Sequence, residues 1–427
     1  MTSDPRPLAE LSREELEAFA TEQRTAYDNL VAKGLKLDLT RGKPSADQLD
    51  LSDGLLHLPK STTAPDGTDT RNYGGLAGGI EIREIYAELL GLETAQLIAG
   101  GNSSLTMMRD TLMYLWLHGG VDSERPWGRE ETVRFVCPVP GYDRHFTLLE
   151  WFGIEMLTVP MHADGPDADA VAALVKDDPT IKGMWLVPTY ANPTGDTTSQ
   201  EIAERLTSMP TAAPDFKIFW DNAYALHHLT PAETKTADIV SLANAAGNPH
   251  RPLVFASTSK VTYAGAGVGF FGGSKENVAW WLDHLSNGAI GPDKVNHLRH
   301  AEFFGSAAGV REHMAKHREL LAPRFAAVED ALTDELGSLG VATWTKPAGG
   351  YFVSLDVLPG TATKVIELAK SAGVALTPAG SAFPGKHDPE DTNIRLAPSF
   401  PPLEQVSGAM EVVTVCVKLA AVEKLLA

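Results

Sequence analysis

Short apolar or β-branched runs recur along the middle of the chain, and each is followed by small, polar or glycine residues and then by helical periodicity. The runs lie at 96–99, 133–136, 184–187, 218–220 and 254–256. This alternation is typical of a largely parallel sheet flanked by helices. Ligands bind such sheets beyond the carboxyl ends of the strands. We therefore expect the functional residues directly after these runs.

The two ends of the chain have a different pattern. The first 30 residues or so read as a helix capped by Ser12. A long helical stretch from 310 to about 336 precedes apolar runs at 351–356, 374–376 and 393–396, and a final helix is predicted at 403–426. The pattern indicates two domains: a large one at 55–310, and a smaller α+β domain formed by 1–54 and 311–427.

Composition removes several classes of function. The net charge of −19 disfavours a nucleic-acid or anionic membrane partner. The only two cysteines, Cys137 and Cys416, exclude a disulfide framework and have no metal-ligand spacing, so we expect no metal site. The first residues lack a basic start followed by an apolar stretch, and no window approaches the ~20 apolar residues that span a bilayer. We expect a cytoplasmic protein.

A lysine with hydroxyl neighbours comes directly after the run at 254–256. Ser257, Ser259 and Lys260 lie there as Ser-Thr-Ser-Lys. A lysine at a strand end can form a Schiff base with an aldehyde if its pKa is lowered. An isolated lysine of this kind is more often a solvated surface residue, so the interpretation depends on the side chains at the ends of the other strands.

An aspartate and a tyrosine come after the apolar run at 218–220. Asp221 is expected at a desolvated pocket wall, where it needs a cationic partner, although an isolated aspartate of this kind is more often a helix cap or a turn residue. A protonated pyridine nitrogen is such a partner, and enzymes that use pyridoxal phosphate (PLP) place an acidic group there. Tyr224 could reach the phenolic oxygen of the same ring.

Three further strand ends carry compatible groups. Asn192 lies in Asn-Pro-Thr-Gly, a good turn sequence in which the amide could donate to a phenolate oxygen. Tyr142 could lie flat on a pyridine ring, and His145 could support Asp221 from behind. The glycine-rich turn at 99–105 offers free N–H groups and the hydroxyls of Ser103 and Ser104 to a phosphate.

In this order and at these intervals, the segments resemble the class I aminotransferases of PLP fold type I. The series ends with an arginine in 393–396, and the similarity covers essentially the whole chain from 37–44 onward. Segments 40–44, 71–75 and 140–145 further resemble an atypical bacterial branch of aspartate aminotransferases. The resemblance implies an α/β fold with a mostly parallel seven-stranded sheet between helices in the large domain, plus the smaller α+β domain.

The resemblance also implies roles for individual residues. Lys260 would form the Schiff base and shuttle the proton, while Asp221 would bind the pyridine nitrogen. Asn192 and Tyr224 would bind the phenolic oxygen, Tyr142 would stack on the ring, and His145 would support Asp221. The substrate α-carboxylate would be bound by Arg395, with Asn192 and Gly42 beside it. The phosphate would be held by Ser103, Ser104, Ser257, Ser259 and, from the neighbouring subunit of a homodimer, Tyr73.

The chain departs from the family pattern at two points. The family usually has a phosphate-binding arginine about eight residues beyond the lysine, but 261–269 contain no basic residue. Lys294 and Arg71 are the candidates to replace it. There is also no clear match to the usual arginine for a distal carboxylate. Arg41 and Lys43, which flank Gly42, are the predicted substitutes.

The expected activity is transfer of the amino group of aspartate or glutamate to 2-oxoglutarate or oxaloacetate. The cofactor site alone does not decide which bond is broken, so a PLP-dependent lyase or decarboxylase is the alternative. A PLP-sensing regulator of transcription is a third possibility, which the charge of −19 opposes.

Overall fold

The computed structural model describes residues 6–427, which form thirteen strands and thirteen α-helices besides short 3-10 turns. The strands are β1 Leu37–Asp38, β2 Leu97–Ala99, β3 Arg134–Val139, β4 Glu155–His162, β5 Gly165–Pro166, β6 Ile181–Leu186, β7 Lys217–Asp221, β8 Pro252–Ser257, β9 Gly269–Gly273, β10 Ala342–Trp344, β11 Val353–Val357, β12 Val374–Ala375 and β13 Asn393–Leu396. The helices are α1 Arg13–Ala32, α2 Ala46–Asp50, α3 Ile80–Leu90, α4 Ser104–His118, α5 Asp143–Phe152, α6 Ala168–Val175, α7 Gln200–Ser208, α8 Ile239–Ala245, α9 Lys275–Ser286, α10 Lys294–Phe304, α11 Ala307–Leu336, α12 Ala362–Ser371 and α13 Leu403–Leu426.

The large sheet has the strand order β2-β9-β8-β7-β6-β3-β4-β5. Strands β4, β3, β6, β7 and β8 run parallel, whereas β9 pairs antiparallel with both β8 and β2. The predicted mostly parallel α/β sheet is confirmed. Its eighth strand, β5, is a two-residue antiparallel addition at the edge beside β4.

Burial explains why the central strands read as continuous apolar runs. Every residue of β6 and β7 is buried, as expected for parallel strands covered by helices on both faces. Trp185, Phe219 and Phe255 are among the largest buried side chains of this layer. The register places Asp221, at the end of β7, beside Phe255 of β8. The polar residues after these two strands therefore lie next to each other.

A second core lies at the two ends of the chain. Strands β10, β11 and β13 form an antiparallel sheet, and β1 pairs in parallel with β12. Helices α1, α11, α12 and α13 pack around them. The predicted cap of α1 is confirmed: the Ser12 side chain accepts from the Glu15 amide, and the Glu15 carboxylate accepts from the Ser12 amide.

Helix α11 contributes to both cores. Val310 and Met314 pack with the apolar residues of α3, β2 and β9. Val328, Leu332 and Leu336 pack into the core formed by the two ends of the chain. The domain division predicted at 310/311 therefore falls inside one continuous 30-residue helix. Those boundaries remain a prediction, and the first five residues of the predicted small domain lie outside the described residues.

Membrane spans and metal clusters are both absent from the part of the chain that the structure describes. Within residues 6–427 no helix is long and apolar enough to cross a membrane, and no group of three or more His, Cys, Asp and Glu side chains is arranged to hold a metal ion. Both cysteines are buried and free.

Candidate active site

Lys260 and Tyr224 meet where β7 and β8 end. The Lys260 Nζ lies 4.7 Å from the centroid of the Tyr224 ring, and Tyr224 itself is buried. Burial lowers the pKa of Lys260, and the charge of Asp221 partly opposes this effect. A lowered pKa leaves more of the amine neutral, which is the form that attacks a carbonyl carbon.

Asp221 is held from behind by a histidine. Its Oδ2 lies 2.9 Å from His145 Nε2, and both side chains are buried. The imidazole stacks on Trp185 with a centroid distance of 4.2 Å and an angle of 11°. Tyr142 lies at a centroid distance of 4.9 Å on another side of the same imidazole.

The other oxygen of Asp221 has no partner within the described part of the chain. Oδ1 is buried, and no donor among residues 6–427 hydrogen-bonds to it. An unpaired buried carboxylate oxygen is costly, so the site is suited to a cationic N–H donor from a ligand. A protonated pyridine nitrogen fits this requirement. The residues present are therefore compatible with PLP.

The predicted phosphate-binding hydroxyls lie on two loops that touch. Ser103 caps α4 by accepting from the Thr106 amide at 3.3 Å, and Ser104 is the first residue of that helix. Ser257 donates to Ser259 at 3.1 Å, and Ser259 donates to the carbonyl of Asn102 at 3.4 Å. Four hydroxyls and the amino end of a 15-residue helix are thus gathered at one place, an arrangement that favours an anion.

The two candidate cations for the phosphate are engaged elsewhere. Lys294 is buried, and its Nζ donates to the carbonyls of Asn72 and Gly74 at 2.7 and 2.6 Å. Arg71 forms an exposed ion pair with Asp69 at 2.8 Å. Lys294 is thus bonded to the loop that carries Tyr73, whose side chain is 81% exposed, and its role toward a phosphate stays a prediction.

Arg395 lies on β13, facing the same space as Asn192. Its guanidinium carbon is 4.9 Å from the centroid of the Phe352 ring. Nη1 donates to Asn192 Oδ1 at 3.4 Å, and Nη2 donates to Thr377 at 3.3 Å. These bonds are long, and Nε is buried without an acceptor among the described residues. A carboxylate would supply the missing acceptors.

The 41–43 segment contacts the Phe352 ring, which lies beside Arg395. A Cβ built on Gly42 would lie 2.1 Å from Phe352 Cζ, so the ring that supports Arg395 requires glycine at this position. The two neighbouring cations are exposed. Arg41 pairs with Asp38 at 3.0 Å, and Lys43 lies 4.3 Å from the Phe400 ring centroid. The structure does not bring either into contact with Lys260 or Arg395.

Several residues that shape the site do not stand out in the sequence. Trp185 supports His145, while Phe352 and Thr377 hold Arg395. Asp143 Oδ1 lies 3.7 Å from Arg395 Nη1. The glycine pair at 349–350 is the one local sequence signal here. It allows the backbone before Tyr351 to pack closely against Tyr190, which a Cβ at either glycine would overlap.

The comparisons with known proteins agree with this geometry. Residues 11–427 match the family model described as aspartate amino-transferase. An aspartate aminotransferase from Corynebacterium glutamicum is 54% identical over 97% of this chain and 96% of its own length. A crystal structure of an aspartate transaminase from the same organism, also 54% identical, has a TM-score of 0.97 and covers 99% of this chain and 100% of its own.

A more distant structure shares the fold alone. An α-aminoadipate aminotransferase from Thermus thermophilus, solved with N-(5'-phosphopyridoxyl)-L-leucine, has a TM-score of 0.73 at 20% identity and covers 92% of this chain and 95% of its own. Together with the match over nearly the full length, these likenesses establish the family. The chain belongs to the aspartate aminotransferase family and is an aminotransferase of PLP fold type I.

Proposed function

We propose that the enzyme transfers the amino group of aspartate or glutamate to a 2-oxo acid, using PLP bound covalently to Lys260. The observation that carries this proposal is the buried Asp221, whose Oδ1 has no partner among residues 6–427 and whose charge acts on Lys260, a lysine of lowered pKa. PLP supplies an electron sink for the charge that develops when a bond at the substrate Cα breaks. The name of the 54% identical relative supports the dicarboxylic substrate.

In this proposal each side chain has a role that follows from its contacts. Asp221, oriented by His145, keeps the pyridine nitrogen protonated. Tyr142 would pack against the ring, and Tyr224 with Asn192 would bind its phenolic oxygen. The Nζ of Lys260 would take the proton from the substrate Cα.

Substrate orientation would come from the opposite wall. Arg395 offers a planar fork to the α-carboxylate and is already supported by Phe352, Asn192 and Thr377. A second carboxylate entering the site needs a second cation, because an unpaired buried charge is costly. We propose Arg41 or Lys43, which flank the glycine that contacts Phe352.

The donor profile of the purified enzyme tests this assignment. Arg41→Met and Lys43→Met are assayed with aspartate, glutamate and alanine, each with an oxo-acid acceptor. We expect one variant to lose about 10²-fold or more in kcat/KM on the dicarboxylic donors, the size expected for an unpaired charge, with little loss on alanine. Equal losses on all donors, or none, would exclude both residues from distal-carboxylate recognition.

The same assay separates transamination from the other PLP chemistries. A transaminase produces one oxo acid from the donor and one new amino acid from the acceptor in equal amounts. Release of carbon dioxide or ammonia without a new amino acid would instead indicate a decarboxylase or lyase.

We further propose a homodimer with shared active sites. Tyr73, Ile290 and Leu56 are 81%, 63% and 67% exposed, and Ile290 bonds the Tyr73 loop through its carbonyl. Exposed apolar side chains of this size favour an interface. Sedimentation should give twice the chain mass of 45.8 kDa, and Tyr73→Phe should weaken cofactor affinity. A fully active monomer in dilute solution would contradict this arrangement.

A further inference from the structure

The backbone carbonyls of Lys260 and of the next residue are both held by buried side chains. His227 Nε2 lies 3.2 Å from the Lys260 carbonyl oxygen, and the Tyr351 hydroxyl donates to the same oxygen at 3.4 Å. His313 Nε2 lies 2.8 Å from the carbonyl oxygen of Val261. These three side chains are all at most 5% exposed. The peptide that carries the lysine is thus fixed by three side chains distant in sequence.

The donor and acceptor roles in this cluster can be assigned from Gln48. Its Oε1 accepts from the Ser45 amide, so its Nε2 must donate to His317 Nδ1, 3.1 Å away. The proton of a neutral His317 therefore lies on Nε2, which is 3.1 Å from His313 Nε2. A bare His313 Nε2 would face the Val261 carbonyl with a lone pair, so this nitrogen also carries a proton. The Nε2–H of His313 then donates to the Val261 carbonyl oxygen at 2.8 Å, and His317 Nε2 lies 3.1 Å from that His313 nitrogen.

The cluster is built to stay neutral. Burial lowers the pKa of His227 and of His317 to about 3, and it also lowers the pKa of His313. A second proton on His317 would have to face the amide donor of Gln48, which opposes it further. The hydrogen bonds therefore keep one set of directions throughout the neutral pH range.

The cluster connects Lys260 to the segment that borders the substrate. Gln48 also donates to the Tyr351 hydroxyl at 3.1 Å. Its amide therefore bonds Tyr351, which contacts the Lys260 carbonyl, and His317, which contacts the histidine at the Val261 carbonyl. Gln48 lies six residues beyond Gly42. Arg324, on the same helix as the two histidines, donates to Ser45 at 2.9 Å and pairs with Asp47.

If the cluster only stabilised the fold, that would explain why its buried polar side chains are hydrogen-bonded. It would not explain why the backbone acceptors are the carbonyls of Lys260 and Val261. Rotation of that peptide would swing the Cα–Cβ bond of the lysine, and proton transfer depends steeply on such displacements.

We propose that Gln48, Tyr351 and the histidines 227, 313 and 317 are positioning residues that orient Lys260 for proton transfer and link its orientation to the 42–48 segment. This inference rests on the proposed role of Lys260. It adds a set of residues that touch neither substrate nor cofactor but act through the lysine peptide.

The test compares isosteric losses with a conservative replacement and a stability control. His313→Leu, His317→Leu and Gln48→Met remove hydrogen bonds at nearly constant volume, whereas His313→Gln keeps a donor near the Val261 carbonyl. Val328→Ala, a buried position of α11 outside the cluster, creates a cavity without touching the lysine peptide. For each protein the melting temperature, the half-reaction rate at saturating donor, the KM and the pH midpoint of the cofactor absorbance are measured.

The three isosteric variants should lower the half-reaction rate by about tenfold or more, as expected for a lost buried hydrogen bond, and shift the absorbance midpoint. The KM for the donor should change by less than about threefold, because the α-carboxylate site is intact. His313→Gln should recover most of the rate. Gln48→Met combined with His317→Leu should be no slower than the worse single variant, since residues in one network are not additive.

Two results would overturn the inference. One is a normal rate and midpoint in variants whose melting temperature falls as much as in Val328→Ala. The other is a double variant whose half-reaction rate falls by the product of the factors measured for the two single variants. Borohydride labelling of the wild-type enzyme separates this failure from a wrong cofactor lysine: if Lys260 is labelled and the variants are normal, the positioning role alone is wrong.

Discussion

Lys260→Ala is expected to abolish turnover, with a fall in kcat of roughly 10⁴- to 10⁶-fold, as seen when a nucleophile that also transfers the proton is removed. In the proposed mechanism the lysine provides both the covalent link and the base, and the structure places no second lysine amine beside Tyr224 among residues 6–427. Borohydride treatment of the wild-type enzyme should attach the cofactor irreversibly to the peptide that contains Lys260. Mass spectrometry of the digest identifies that peptide.

Lys275→Ala is the matched control, because this lysine is exposed and forms an ion pair with Glu93, far from the candidate site. Its turnover and labelling should equal those of the wild-type enzyme. A Lys260→Ala protein that still forms a borohydride-reducible bond with the cofactor would refute the assignment.

Asp221→Asn should retain the cofactor yet slow proton abstraction by at least about 10³-fold. The amide is nearly isosteric and can keep a hydrogen bond to His145, but it lacks the charge that, in the proposed mechanism, holds the pyridine nitrogen protonated. The deuterium isotope effect on the half-reaction reports whether proton abstraction has become rate-limiting.

Asp178→Asn serves as the control for loss of one negative charge, because this residue pairs with Arg134 at the other end of the sheet. It should turn over at the wild-type rate. Near-normal turnover in Asp221→Asn would mean that a different group sets the protonation of the ring.

The fold is predictable from the sequence where burial imposes a simple pattern. Strands β6, β7 and β8 are covered on both faces, so their sequences are continuous apolar runs. Strand β9 is not recognisable in this way because Gly-Phe-Phe-Gly-Gly has low strand propensity, and it is stabilised by its pairing with β8 and β2. Strand β4 lies next to the two-residue edge strand β5, has a single buried residue and has no comparable apolar run.

The candidate site is predictable where parallel topology brings strand ends together. Asp221 and Lys260 come after neighbouring strands, and a parallel sheet places such residues at one edge. The supports of Arg395 are not predictable in this way. Phe352 faces Gly42 across 310 positions of sequence, a proximity produced by tertiary packing and by no local motif.

The surroundings of the candidate phosphate-binding cation are not predictable from the sequence for the same reason. Lys294 is a basic residue in a glycine- and proline-rich segment, the kind of loop that often meets a ligand. Its surroundings in the structure are instead two backbone carbonyls, of Asn72 and Gly74, to which its amine donates. Side-chain charge can be read from sequence, but the distribution of unpaired carbonyls cannot.

The continuous helix α11 has a consequence for how the chain unfolds. Its amino-terminal half is anchored by Val310 and Met314, and its carboxy-terminal half by Val328 and Leu332, in two different cores. Because helix formation is cooperative along its length, melting either core weakens the segment on which the other depends. The two regions are therefore expected to unfold together. Cutting the chain at 310/311 would divide helix α11, so each fragment would lack part of the helix that both cores share.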